Sequence, residues 1–281
     1  MKSIAILGAG VMGSGIALDL ASFGYEVILK DINQSILDTS RQKITEDFRM
    51  LQMLKSGFKE LRIEDILDRI NFTTDYANFD NVELVIENVS EDWNTKSQVY
   101  QELREVCDED VLFGVNTSCI SITKVASLVQ NPAKVIGMHF MNPAPLKELV
   151  ELIRGYHTTI ETIDQIKSFL KTINKGAVVA EDMPGFIANR LSHLFMNEAA
   201  FLIQDQVGTA QDIDLLFRKG YGHAMGPLET ADLIGLDTVV NSLDVLYESY
   251  QDSKFRCCPL LRKMVAAGLK GKKSGEGFYK Y

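Results

Sequence analysis

The chain has 281 residues, 46% of them hydrophobic and 24% charged, with 29 Lys and Arg against 38 Asp and Glu and a formal net charge of −9. This length suits one large domain or two ordinary ones, each able to bury a real core. The acidic balance excludes a general nucleic-acid binder, which needs a basic face to displace counterions from phosphate, although a local basic cluster can still meet a polyanionic ligand.

Met1–Leu7 runs straight into a glycine loop, without the apolar stretch and small-residue cleavage site of a signal peptide. No window reaches the roughly 18 uninterrupted apolar residues of a membrane span, so no membrane partner is expected. Cys107, Cys119, Cys257 and Cys258 show no metal-ligand spacing. No metal site is expected, and a reduced, cytoplasmic compartment fits this usage.

Residues 3–8 form an apolar run that ends in Gly8-Ala9-Gly10-Val11-Met12-Gly13. Ile16, Ala17, Leu20 and Ala21 then recur at helical spacing, and Tyr25–Asp31 reads as a second strand. Strand, glycine turn, helix and strand make a βαβ unit. Its glycines, Gly8, Gly10 and Gly13, let the backbone turn and approach a pyrophosphate over the positive end of the helix. Asp31, about 20 residues on, stands where a carboxylate binds the adenosine ribose hydroxyls. A carboxylate there repels a 2′-phosphate, which favours NAD over NADP.

Residues 33–68 are charged and helical in period, and read as a helical insertion before a strand at about 70–73. Apolar runs at 84–86, 111–115 and 135–140, separated by helical stretches such as 95–107, imply a mostly parallel sheet with helices on both faces. Asp182-Met183-Pro184-Gly185 is turn chemistry. Beyond it, residues 186–206, 210–219 and 227–250 have helical periodicity, with no clear strand before the last few residues. The expected fold is α/β over residues 1–183, with an all-α domain over 184–281.

Three segments look chemical rather than structural: Val115–Cys119 and Gly137–Pro143, each at the end of a strand, and Phe186–Arg190, opening the helical part. In an open parallel sheet, ligands bind at the carboxyl ends of the strands.

Together with the glycine loop, these segments resemble the 3-hydroxyacyl-CoA dehydrogenase family, including its bacterial 3-hydroxybutyryl-CoA members. The resemblance runs from Ile4 to Tyr281. It rests on Val85-Ile86-Glu87, Asn116-Thr117-Ser118, His139-Phe140-Met141-Asn142-Pro143, Pro184-Gly185-Phe186, Met225-Gly226-Pro227, Asp232–Asp237 and Gly275–Tyr279. It implies an N-terminal Rossmann-type dinucleotide-binding domain and an all-α C-terminal domain for substrate binding and dimerisation. The implied reaction is NAD-dependent oxidation of the 3-hydroxyl of a short acyl thioester to a ketone, and its reverse, in fatty-acid or butyrate metabolism.

Carried over by position, the resemblance makes His139 the general base, a task suited to imidazole because its ordinary pKa lies near working pH. Glu151 matches the carboxylate that orients it. Ser118 and Asn189 match residues that bind the reacting oxygen or the acyl group. Glu91, Lys96, Asn142 and Lys273 match positions near the ribose or nicotinamide, with Lys272 an alternative to Lys273. Lys55 is the nearest match to a lysine that contacts coenzyme A, with Lys59 the alternative. His157, His193 and His223 read as structural.

The chain departs from the family pattern at Cys119, Met141, Lys147-Glu148 and Ala224, and some of these departures fall near the substrate rather than the cofactor. Two thioester carriers therefore stay open: coenzyme A, and the phosphopantetheine arm of an acyl carrier protein in the synthesis of polyketide extender units. A non-catalytic NAD-binding protein is a third reading, disfavoured by the intact Ser118, His139, Glu151 and Asn189 set.

Overall fold

The computed structural model describes residues 3–281; Met1 and Lys2, which open the expected first domain, lie outside the described residues. The chain divides into two compact units, with the boundary in the chain between Met183 and Pro184.

The first unit is built on a sheet of eight strands: β1 (Ser3–Leu7), β2 (Glu26–Lys30), β3 (Ile70–Thr73), β4 (Leu84–Glu87), β5 (Leu112–Val115), β6 (Val135–Phe140), β7 (Leu149–Arg154) and β8 (Gly176–Glu181), in the order β3-β2-β1-β4-β5-β6-β7-β8. All neighbours are parallel except β6 and β7. Strands β4, β5 and β6 are buried along their whole length. That is why they read in the sequence as unbroken apolar runs rather than alternating ones.

Helices α1 (Val11–Ser22), α2 (Gln34–Leu54), α3 (Ile63–Asp68) and α6 (Ile160–Thr172) share one core with the sheet. Ile16, Leu20, Ile44, Phe48 and Ile166 interlock there with Ile4, Ile6, Leu29 and Ile86. Because side chains alternate across a strand, Phe113 points the other way and meets Tyr100 of α4 (Trp93–Val106) edge-on at 6.0 Å. Helix α5 (Ile122–Ala126) follows β5. The expected insertion over 33–68 consists of α2, a 3-10 turn at Ser56–Phe58, and α3. Helix α2 starts at Asn33, whose side chain accepts from Ile36 N at 3.1 Å.

The second unit is helical: α7 (Ala188–Gln204), α8 (Ala210–Leu215), α9 (Pro227–Ile234), α10 (Leu236–Tyr250) and α11 (Pro259–Ala266). Its core gathers Met196, Ala200, Ala231, Val239, Leu243 and Leu261. Two buried aspartates fasten the C-terminal turn to these helices. Asp232 accepts from Phe278 N at 3.0 Å and Tyr279 N at 2.9 Å, and Asp214 accepts from the Tyr279 hydroxyl at 2.7 Å. Burial pushes the Asp232 carboxyl up, against the pull of those backbone donors. No helix among the described residues is long and apolar enough to cross a membrane, and no cluster of His, Cys, Asp or Glu there is arranged to hold a metal.

Candidate active site

The glycine loop joins β1 to α1 in the form a dinucleotide requires. Gly8 has φ +89°, and a Cβ on it would lie 2.6 Å from the carbonyl oxygen of Asn88. A Cβ on Gly13 would stand 1.8 Å from Gly8 O, so α1 packs against the loop only with glycine there. Around Gly10, by contrast, the space a Cβ would enter is open to 4 Å. The open side is where a phosphate can approach, at the start of a helix that no side chain caps. Asp31 follows the end of β2, with one carboxylate oxygen accepting from Ala9 N at 2.6 Å and the other from Ile32 N at 2.7 Å. It thereby ties the loop to the position where a ribose would lie. This cradle fits an adenine dinucleotide.

The second group of residues lies along β6, β7 and the loop after β5. His139 on β6 stands directly opposite Glu151 on β7 in the antiparallel register. Nδ1 of His139 and Oε2 of Glu151 are 2.8 Å apart, and the two residues are 7% and 2% exposed. With the carboxylate accepting the Nδ1 proton, Nε2 carries the lone pair. That nitrogen faces the Ser118 hydroxyl at 3.5 Å.

The Ser118 loop is held from beneath. Oε1 of Glu91 accepts from the Thr117 hydroxyl, from Ser118 N at 2.9 Å and from Cys119 N at 2.9 Å. Asn116 donates to Asn88 Oδ1 at 2.6 Å and accepts from Phe140 N at 3.2 Å, linking the ends of β4 and β6. Lys96 is fully buried and gives its ammonium to both oxygens of Glu87, at 2.7 and 2.8 Å, with Glu91 3.9 Å away. Lys96 therefore stands behind Glu91 rather than open to a ligand. Burial pushes the Glu87 carboxyl up, and Lys96 opposes it.

The remaining expected residues are more scattered. Asn142 is exposed just past β6, before a cis bond to Pro143. Lys55, at the end of α2, donates to Pro145 O at 2.9 Å. In the second unit, Asn189 sits in the first turn of α7, its carbonyl accepting from His193 Nδ1 at 2.9 Å. Lys273 pairs with Asp237 at 2.5 Å.

Comparison with known proteins settles the family. Residues 3–183 match the model for the NAD binding domain of 3-hydroxyacyl-CoA dehydrogenase, and residues 185–281 match its C-terminal domain. The chain belongs to the 3-hydroxyacyl-CoA dehydrogenase family. It is 40% identical over 278 residues to a 3-hydroxybutyryl-CoA dehydrogenase of Clostridioides difficile, covering 99% of each chain. The identity is also 40% to one from Bradyrhizobium diazoefficiens, covering 100% of this chain and 96% of that one. The crystal structure of (S)-3-hydroxybutyryl-CoA dehydrogenase from Ralstonia eutropha superposes with a TM-score of 0.94 at 34% identity, covering 100% of this chain and 99% of the other.

As a 3-hydroxyacyl-CoA dehydrogenase family member the chain is an oxidoreductase that uses NAD, in keeping with the Asp31 cradle. Asp182 belongs to the site's scaffold although only its turn character was legible. Its carboxylate accepts from Ser121 Oγ at 2.8 Å, Ile122 N at 3.0 Å and Thr123 N at 2.7 Å, which caps α5 and fixes the far end of the Ser118 loop. An Asp before Pro-Gly is common turn chemistry, so the sequence held no signal for this contact across 61 positions.

Proposed function

We propose that this enzyme oxidises the 3-hydroxyl of a short 3-hydroxyacyl-CoA, of the 3-hydroxybutyryl type, to the ketone, and catalyses the reverse, with His139 as general base. The observation that carries this reading is the buried His139–Glu151 pair, with Nε2 turned to Ser118 at 3.5 Å. Nδ1 is committed to Glu151, so Nε2 is the nitrogen that takes a proton from a hydroxyl in reach of both it and Ser118 Oγ. Bound NAD supplies the acceptor for the hydride that leaves C3. As the proton moves to Nε2, the positive charge that forms on the ring faces the Glu151 carboxylate, 2.8 Å from Nδ1. The Ser118 hydroxyl donates to the substrate oxygen and holds it against His139. In reduction, the imidazolium returns the proton to the carbonyl oxygen.

Gly8, Gly10, Gly13 and Asp31 are proposed to bind the dinucleotide. Glu91 and Lys96 serve the ribose side by fixing the 117–119 loop, and Asn142 the nicotinamide side. Asn189 and Lys273 of the second unit remain the residues proposed for the substrate oxygen and the nucleotide. Coenzyme A is favoured as the carrier because the relatives that match nearly the full chain are named as CoA dehydrogenases. Exposed Val207, Leu191, Leu215, Leu216 and Leu233 on the second unit support a homodimer formed through it.

The test is NADH oxidation, followed by absorbance, with acetoacetyl-CoA and then with the same acyl group on an acyl carrier protein. Fast turnover of the CoA ester is expected. Slow CoA turnover beside fast carrier-protein turnover would move the enzyme to the biosynthetic reading, and no turnover of either would contradict the proposed substrate class.

A further inference from the structure

Two lysines hold three backbone carbonyls of one short segment, Ala144–Lys147. That segment lies between β6, which carries His139, and β7, which carries Glu151. Lys175, just before β8 and 4% exposed, sends its ammonium to Ala144 O at 2.8 Å, to Lys147 O at 2.6 Å and to Asp19 Oδ2 at 2.8 Å. An ammonium has three N–H donors, and here all three are taken. Lys55, from the helical insertion, reaches Pro145 O at 2.9 Å.

The segment also lies directly on α1, the helix that follows the glycine loop. A Cβ on Gly15 would meet Ala144 Cβ and Pro145 Cδ at 3.8 Å. Asp19 is on the same helix and is 1% exposed. A buried ion pair adds little stability over an apolar pair of the same shape. What Asp19 and Lys175 supply is direction, since they aim a charged donor at two carbonyls of a segment whose own pairing is a single short 3-10 turn, Ala144–Leu146.

We propose that Lys55, Lys175 and Asp19 form a clamp that positions residues 141–147 against α1. Lys55 then serves the active site as a positioning residue that sets Asn142, rather than as a ligand for the phosphates of coenzyme A. Both ends of the clamp tie the residues after His139 to the cofactor-binding half of the unit. The inference rests on the functional reading above for its substrate assay, but not for its cofactor assay.

Two thioesters of the same acyl group separate the possibilities: acetoacetyl-CoA, and acetoacetyl-N-acetylcysteamine, which has no nucleotide phosphates. With Lys55→Met, kcat/KM is expected to fall by the same factor on both. NADH titrated by its fluorescence is expected to bind roughly tenfold more weakly, the scale of one lost hydrogen bond to an ammonium. A merely structural loss would lower the count of active sites and leave the dissociation constant of those remaining unchanged. Lys175→Met is expected to act in the same direction, and more strongly. If it does not fold, Lys55→Met alone decides. A loss confined to the CoA ester, or unchanged NADH binding, would overturn the clamp. If the wild-type enzyme turns over neither thioester, the functional reading fails, and the NADH titration of Lys55→Met still supports or overturns the clamp.

Discussion

His139 and Glu151 are cross-strand partners, in register on β6 and β7, the antiparallel neighbours in an otherwise parallel sheet. Were β7 parallel to β6, a crossover of about a dozen residues or more would be needed between them. The reversal lets a turn return the chain so that residues 12 positions apart meet side by side. Glu151→Gln keeps the shape of this pair and removes its charge. It is expected to lower kcat by about 10²–10⁴-fold, the usual range for acid–base assistance. NADH binding should be almost unchanged, as fluorescence titration beside a steady-state assay can check.

The Asp31 carboxylate, proposed to set cofactor choice, also braces the glycine loop at Ala9 N. Asp31→Ala is expected to raise the KM for NADH and to shrink the preference for NADH over NADPH, since the charge that repels a 2′-phosphate is gone. Parallel kcat/KM measurements with the two cofactors test this. An unchanged preference would mean that another group reads the ribose.

Lys96 and Glu87 are both fully buried, so removing one leaves the other uncompensated. Lys96→Met should cost about 3–5 kcal/mol at neutral pH, measured by urea unfolding. The sign of its pH dependence follows from the raised Glu87 carboxyl. A carboxyl raised in the fold holds its proton at a pH where the unfolded chain has released it. Stability is therefore lost as pH rises from the ordinary value of 4.5 through the raised folded value. Without the Lys96 charge to oppose burial, the carboxyl is raised further, so that decline should reach to higher pH in the variant than in wild type.

Three of the four cysteines are poor nucleophiles. Cys107, Cys257 and Cys258 are buried, and burial pushes the first two thiols up to about 12 and about 11. Cys119, beside Ser118, is half-buried. A chromogenic disulfide reagent at pH 8 is expected to find one fast thiol in the native enzyme, absent in Cys119→Ser, and four after unfolding. Two or more fast thiols in the native state would contradict this burial pattern.

The cofactor half was the most legible part of the sequence, because its signals are local. Gly8, Gly10, Gly13 and Asp31 fall at fixed spacings in one βαβ unit, and doubly covered strands leave unbroken apolar runs. Strand β7 was hidden. Its ends, Leu149 and Arg154, are exposed, and no local pattern separates Glu151 from a surface carboxylate, so its pairing with His139 was legible only through the family resemblance. Glu91 and Lys96 look alike in sequence, yet one gathers the 117–119 loop while the other is spent on Glu87. Asp19 and Lys175 lie far apart in the chain, and neither carries a local pattern that points to their pairing.

The most direct test of the mechanism is the rate of NADH oxidation with acetoacetyl-CoA by His139→Gln, measured in a single turnover beside an NADH titration of the same sample. Loss of the base is expected to slow the chemical step by several orders of magnitude while NADH binds almost as in wild type. A near-normal rate with normal binding would show that another group moves the proton, and would contradict the assignment of His139.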